Sequence, residues 1–152
     1  MAAENDADLA ALVTRWAKGE ITLKQIKGYT DDELYAIAHQ GYFFLMQGKN
    51  EDARTIFEGL VAIDPQNAYY YRALGVIYHK LGDAERAIRQ FTYATRVAPR
   101  APSAYVNRAE VYVATGRRAD ALRDLGYALS LVPLDAADPL SRKARALLNF
   151  LT

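Results

Sequence analysis

The chain has 152 residues, of which 51% are hydrophobic and 24% are charged, and it contains no cysteine. This composition is typical of one globular domain of ordinary size, and without cysteine there is no disulfide and no thiolate metal site. The formal net charge of +1 provides no overall basic field for nucleic acid or for an acidic membrane surface, so we expect neither as a partner.

The N-terminal stretch MAAENDADLA carries three acidic residues and no basic one. A secretory signal would need a positive start and an apolar run. No window of the chain approaches the roughly 18 apolar residues of a membrane span. We therefore expect a soluble cytoplasmic protein that does not insert stably into a membrane.

The first predicted element is a helix over Asp6–Lys18, with Asn5 or Asp6 as its N-cap and Gly19 just past its end. Its apolar face carries Trp16, the only tryptophan. Trp16 can pack on the first repeat, described below, or it can lie in a contact between two copies of the chain. The sequence leaves both interpretations open.

Two further helix starts follow the N-terminal helix. Thr22 can cap a single helical turn that stops at Gly28. Thr30 and Glu33 have the spacing of a capping box, which predicts the start of a longer helix that runs to about Gln47.

A 34-residue unit recurs three times along the chain, and the three copies together occupy residues 34–135. The predicted segments are an N-terminal helix and short turn at 1–33, the copies 34–67, 68–101 and 102–135, and a C-terminal helix at 136–152. The aligned columns are Gly41, Gly75 and Ala109; Gly48, Gly82 and Gly116; Ala53, Ala87 and Ala121; Phe57, Phe91 and Leu125; and Pro65, Pro99 and Pro133. Each copy predicts two antiparallel helices, A and B, joined by a short loop at the second glycine column and ended by proline.

The C-terminal helix is predicted to begin at Asp138, as N-cap, with Pro139 at its first position. A stack of repeats needs a terminal element to cover its last apolar face, and this helix has the required apolar stripe. The stripe consists of Leu140, Ala144, Leu147, Leu148 and Leu151. We expect the basic residues opposite it, Arg142, Lys143 and Arg145, to be solvated.

A period of 34 residues with two helices per unit resembles the tetratricopeptide repeat. The resemblance implies an all-α tetratricopeptide-repeat solenoid of three helix pairs, with an N-terminal helix and a C-terminal capping helix. It assigns the bulky residue early in helix A to Ile37, Tyr71 and Tyr105. The chain departs from the family pattern at Leu60 and at Arg108, where we expect looser helix packing.

Nearly the whole chain also looks like the class II chaperones of bacterial type III secretion systems. The most similar run is 21–64, with its short turn, its capped helix, the loop QGKNEDA at 47–53, and Phe57, Leu60 and Asp64 in the helix that follows. This resemblance implies a cytoplasmic chaperone that binds hydrophobic translocator proteins and keeps them soluble before export. Dimerisation through the N-terminal helix is common in that family.

In a right-handed stack of helix pairs, the A helices line the concave side, and residues not used for packing point into a groove. The candidate groove residues are Tyr35, Ala38, His39, Tyr42, Leu45 and Met46 in the first copy, Tyr69, Arg72, Val76 and His79 in the second, and Val106 in the third. The first copy presents an aromatic and apolar surface where a water-facing helix would carry charges, and tyrosine hydroxyls can bond a peptide backbone. The sequence therefore predicts a groove for an extended segment of a protein client, while Arg72 and Lys80 are expected to be solvated.

The sequence leaves two alternatives open. Tyr35, Tyr42 and Leu45 can instead pack on the N-terminal helix, and the chain can be a generic repeat scaffold that assembles a multiprotein complex. An enzyme has little support, because His39 and His79 stand alone and no phosphate loop, nucleophile elbow or zinc-protease motif occurs. We expect no cofactor and no metal.

Overall fold

The computed structural model describes residues 2–152, with side chains from residue 8 onward. The described residues form nine α-helices and no strand, which confirms the predicted all-α solenoid. The helices are α1 (Ala2–Ala17), α2 (Leu23–Lys27), α3 (Asp31–Met46), α4 (Asn50–Ile63), α5 (Ala68–Lys80), α6 (Ala84–Val97), α7 (Pro102–Ala114), α8 (Arg118–Ser130) and α9 (Pro139–Leu151).

The early helix boundaries follow local capping chemistry. The hydroxyls of Thr22 and Thr30 accept bonds from the backbone N–H groups three residues on, and Gln25 and Glu33 complete two capping boxes. The predicted start of the first helix is wrong by four residues, because α1 already begins at Ala2, within an alanine-rich stretch of good helix formers.

Each A helix packs on its own B helix, as α3 on α4, α5 on α6 and α7 on α8, and each B helix packs on the next A helix. The tight A-to-B turns pass through Gly48, Gly82 and Gly116, whose φ angles are 74°, 80° and 73°. A side chain is disfavoured at positive φ, so these glycines are the residues that allow an antiparallel pair with so short a loop.

The helices of a pair approach most closely at the first glycine column. A Cβ atom placed on Gly75 would lie 2.6 Å from a ring carbon of Phe91, and one on Gly41 would lie 2.8 Å from the ring of Phe57. Both phenylalanines are buried, at 1% and 0% exposure. The small residue is therefore required because the aromatic ring of helix B occupies the space that a side chain would need.

Ile37 is not part of the packed framework, contrary to the assignment from the repeat pattern. In the second and third copies the equivalent tyrosines contact a tyrosine of helix B, with 5.5 Å between the ring centroids of Tyr71 and Tyr93 and 4.7 Å between those of Tyr105 and Tyr127. In the first copy the position equivalent to Tyr93 is Gly59, which has no side chain to meet Ile37. Ile37 is consequently 42% exposed.

The departure from the repeat pattern at Arg108 does not loosen the packing. Its Nε and Nη2 atoms donate to the two carboxylate oxygens of Asp124 at 2.7 and 2.8 Å, and its Nη1 donates to Thr92 at 2.9 Å. Asp124 is only 4% exposed. A bidentate ion pair thus joins α7 to α8, and the hydrogen bond to Thr92 joins α7 to α6. The second copy has the buried Leu74 at the equivalent position.

The C-terminal helix α9 closes the stack as predicted. Asp138 accepts a bond from the N–H of Ser141 at 3.0 Å, and Ala144 is buried against the last repeat. Its basic residues are not all simply solvated. Arg145 donates to the carbonyls of Ala136 and Leu134, and Lys143 pairs with Glu110 of α7. No helix of residues 2–152 is both long and apolar enough to cross a membrane.

Stability is expected to fall as pH rises above about 10. The two titrating groups responsible, Lys24 and Tyr70, lie where α2 and α5 contact the first repeat. Burial raises the pKa of Tyr70 from 10.0 to about 12, and hydrogen bonds to Asp31 and Asp64 raise the pKa of Lys24. Both groups hold their protons more tightly in the folded state, so their contribution is complete below the unfolded pKa and is lost as pH rises.

This expectation is tested by urea unfolding between pH 8 and 11.5. Tyr70→Phe removes one titrating group without changing shape, so the decline in unfolding free energy should be shallower than in wild type. Tyr29→Phe, at a tyrosine that is 40% exposed, is the matched control. Equal slopes for Tyr70→Phe and wild type would contradict the assignment.

Candidate functional site

Two cavities are lined mainly by residues of the A helices α3, α5 and α7, and α9 borders one of them. The N-terminal cavity, of about 430 Å³, lies between α3 and α5 and is lined by Tyr35, Ala38, His39, Tyr42 and Tyr69. The C-terminal cavity, of about 510 Å³, lies between α5, α7 and α9. Its main lining residues are Val76, His79, Lys80, Asn107, Glu110, Val113, Lys143 and Leu147.

The N-terminal cavity is aromatic, and no Lys, Arg, Asp or Glu side chain is among its lining residues. Ala38 is its buried floor, at 2% exposure, while Tyr35 and Tyr42 are each 48% exposed. Tyr69 is held in place by edge contacts with the rings of Phe57 at 6.2 Å and Tyr70 at 5.8 Å, and burial raises its pKa. The cavity therefore presents apolar ring surface with polar hydroxyl tips, a combination suited to a peptide.

The described side chains of α1, from residue 8 onward, do not line this cavity. Tyr35 and Tyr42 would be largely buried if they packed on α1, yet both are about half exposed. The apolar stripe of α1 is similarly open, with Leu9, Val13 and Trp16 at 57%, 50% and 46% exposure. The exposure of Trp16 contradicts its predicted packing on the first repeat. The exposure of Tyr35 and Tyr42 likewise contradicts the alternative in which they pack with Leu45 on the N-terminal helix; Leu45 packs against the core of the repeats instead.

Four of the predicted groove residues lie outside both cavities. The prediction that Val106 faces the groove is wrong, because Val106 is only 1% exposed. It is buried because α9 packs against the face of α7 that carries it. Leu45 is half-buried and packs against the core, and Met46 is 68% exposed but lines neither cavity. Arg72 lies beside the ring of Tyr69, at 5.9 Å from its centroid, and lines a smaller recess.

The C-terminal cavity combines apolar walls with charged groups. Lys143 Nζ lies 2.6 Å from a carboxylate oxygen of Glu110, whose other oxygen accepts a 3.4 Å bond from Asn107. The sequence interpretation missed Lys143 and Leu147, because it treated α9 only as a cap. Their spacing of four residues, which places both on one helix face, was the available signal.

The residues from 8 onward contain no group of three or more His, Cys, Asp or Glu side chains arranged to hold a metal ion.

Family models match most of the repeat region. A model described as TPR repeat matches residues 41–82, and one described as tetratricopeptide repeat matches residues 72–139. Together with the helix pairing, these matches show that the chain belongs to the tetratricopeptide-repeat proteins, a class of binding scaffolds.

Two curated relatives match by sequence. Low calcium response locus protein H of Yersinia pestis is 27% identical over 110 residues, which cover 72% of this chain and 64% of that protein. The heat shock protein sti1 homolog of Schizosaccharomyces pombe is 38% identical over 97 residues, which cover 64% of this chain and 16% of that protein. The chain thus spans about a sixth of one relative and somewhat under two thirds of the other.

Among solved structures, the chain is similar to type III secretion translocator chaperones. The Yersinia enterocolitica type III secretion translocator chaperone SycD has a TM-score of 0.79 at 23% identity, covering 86% of this chain and 98% of that one. SycD in complex with a peptide of the translocator YopD has a TM-score of 0.72 at 24% identity, covering 80% and 94%. PcrH of Pseudomonas aeruginosa, in complex with the chaperone-binding region of PopD, has a TM-score of 0.73 at 27% identity, covering 82% and 94%.

The expected resemblance to class II type III secretion chaperones is therefore confirmed. For SycD the likeness concerns the fold, since fewer than a quarter of the residues are identical.

Proposed function

We propose that this chain is a cytoplasmic, non-enzymatic chaperone for a hydrophobic type III secretion translocator, and that it binds an extended segment of that client in its groove. The observation that carries the proposal is the open, aromatic cavity of Tyr35, Ala38, His39, Tyr42 and Tyr69. The similarity to PcrH, solved with the chaperone-binding region of PopD, supports the choice of client.

The geometry suggests how such a segment is held. An aliphatic side chain of the client inserts between the rings of Tyr35, Tyr42 and Tyr69 and is thereby removed from contact with water. Each well-buried anchor contributes about 1.5–3 kcal/mol before the cost of ordering the segment. The three hydroxyls make no hydrogen bond to any residue from 8 onward and can pair with the client backbone. A client segment bound in this way is unavailable for aggregation or premature assembly.

The exposed stripe of α1 supports a second contact, with another copy of the chain. Leu9, Val13 and Trp16 are spaced as one helix face and are about half exposed. A face of this kind is covered when two copies pair, so we propose a homodimer formed through α1.

The test of the chaperone proposal is co-expression with a candidate translocator, followed by affinity purification and measurement of peptide binding. We expect the translocator to remain soluble and to co-purify. Tyr42→Ala should weaken binding of the client segment about tenfold or more, because it removes a central aromatic contact. Since Tyr42 is 48% exposed, the melting temperature should stay near that of wild type.

Phe150→Ala is the control, because Phe150 is 77% exposed and lines neither cavity. Binding of the client segment should be unchanged in this variant. An insoluble translocator with no co-purified complex would overturn the chaperone proposal. A soluble complex insensitive to Tyr42→Ala would instead show that the client binds elsewhere.

A further inference from the structure

The C-terminal cavity differs from the N-terminal cavity in charge. It contains two lysines and one carboxylate, and that carboxylate is already engaged by Lys143 and Asn107. Lys80 forms no ion pair with any residue from 8 onward, and it lies at the exposed end of α5. The remaining charge available to a partner in this cavity is therefore positive.

The two cavities are also in register along one helix face. Tyr69 and Lys80 are eleven residues apart on α5, a spacing that returns a helix to nearly the same direction. Eleven residues of helix correspond to about 16 Å, which an extended chain covers in about five residues. One segment can therefore contact Tyr69 and Lys80 at once.

We propose that the groove selects client segments with two parts: an aliphatic anchor in the N-terminal cavity and an aspartate or glutamate about five residues away, paired with Lys80 in the C-terminal cavity. This inference rests on the proposed function and adds the chemistry of the preferred segment. The opposite choice, a basic client residue on Glu110, is disfavoured because Lys143 neutralises that carboxylate.

The surroundings strengthen the pairing. Val76, Val113 and Leu147 border the cavity, so a client segment seated against them would displace water from beside the exposed Lys80. Displacing that water raises the interaction between opposite charges above its value in bulk solvent. In this arrangement α9 is a wall of the binding groove as well as the cap of the stack, since both Lys143 and Leu147 belong to it.

The experiment is selection of displayed twelve-residue random peptides on the full chain, on Lys80→Glu and on the control Arg89→Glu. Arg89 is an exposed cation on α6, in the same repeat but outside both cavities, so the control makes the same change in net charge. For wild type and Arg89→Glu we expect enrichment of an aliphatic residue with an acidic residue about five positions away. On Lys80→Glu the acidic preference should disappear or change to lysine and arginine.

Fluorescence anisotropy of the most enriched peptide gives the quantitative test. Changing its acidic residue to the corresponding amide should weaken binding to wild type about fivefold, and should have little effect on binding to Lys80→Glu. Aliphatic enrichment without acidic enrichment, or an acidic preference that persists on Lys80→Glu, would overturn this inference and leave the proposed function standing. If neither aliphatic nor acidic residues were enriched, the result would count against this inference and against the proposed function.

Discussion

Replacing Arg108 by alanine is expected to lower the free energy of unfolding by about 3–5 kcal/mol, because it leaves the carboxylate of Asp124 buried and unpaired. Asp124 is 4% exposed, and Arg108 supplies two hydrogen bonds to it. The guanidinium also lies 5.7 and 5.9 Å from the ring centroids of Tyr105 and Tyr112, and these contacts are lost too. A domain of this size has a total stability of roughly 5–15 kcal/mol, so the loss is a large part of it.

Urea unfolding followed by circular dichroism measures this effect, and two further variants separate its causes. The double variant Arg108→Met with Asp124→Leu removes the charges together and should recover most of the loss, because apolar pairs often replace buried ion pairs without penalty. Arg123→Ala breaks an ion pair whose arginine side chain is 70% exposed, and it should cost under about 1 kcal/mol. A loss below about 1 kcal/mol for Arg108→Ala would contradict the assignment of a buried charge.

Gly75→Ala is expected to destabilise the protein by about 2 kcal/mol, although alanine is the better helix former. The added methyl group would lie 2.6–2.8 Å from three ring carbons of Phe91. Phe91 is 1% exposed and closely surrounded, so its ring cannot move away without displacing other core residues. The clash therefore outweighs the gain in helix propensity.

Gly59→Ala is the matched control, since Gly59 also lies within a helix but a Cβ atom added there would have no neighbouring atom within 4 Å. This variant should gain about 0.5–1 kcal/mol, the usual helix preference of alanine over glycine. The two variants are thus expected to shift the thermal midpoint in opposite directions. Equal shifts would show that Phe91 does not approach α5 as closely as described.

The two groove proposals and the stability predictions concern different residues. Tyr42 and Lys80 are exposed and lie in the cavities, whereas Arg108 and Gly75 are part of the packing between helices. Variants of the first kind should change binding with little effect on unfolding. Client affinity can therefore be measured without interference from loss of structure.

The sequence by itself determined the order of the helices, their approximate ends and the antiparallel pairing. These features depend on local interactions: Thr30 and Glu33 form the capping box at the start of α3, and Gly48 and Gly82 permit positive φ at their own positions. The repeat also identified the face of α3 that carries Tyr35 and Tyr42, since periodicity alone places residues on a helix face.

Only the tertiary structure decided which of those faces another helix covers. Val106 was predicted to face the groove but is buried because α9 packs over it. Ile37 was predicted to be packed but is exposed because Gly59 has no side chain to meet it. Lys143 lines the groove because α9 occupies the position next to α7. Each outcome depends on a residue distant in sequence, and so on helix packing rather than on the spacing of residues within one helix.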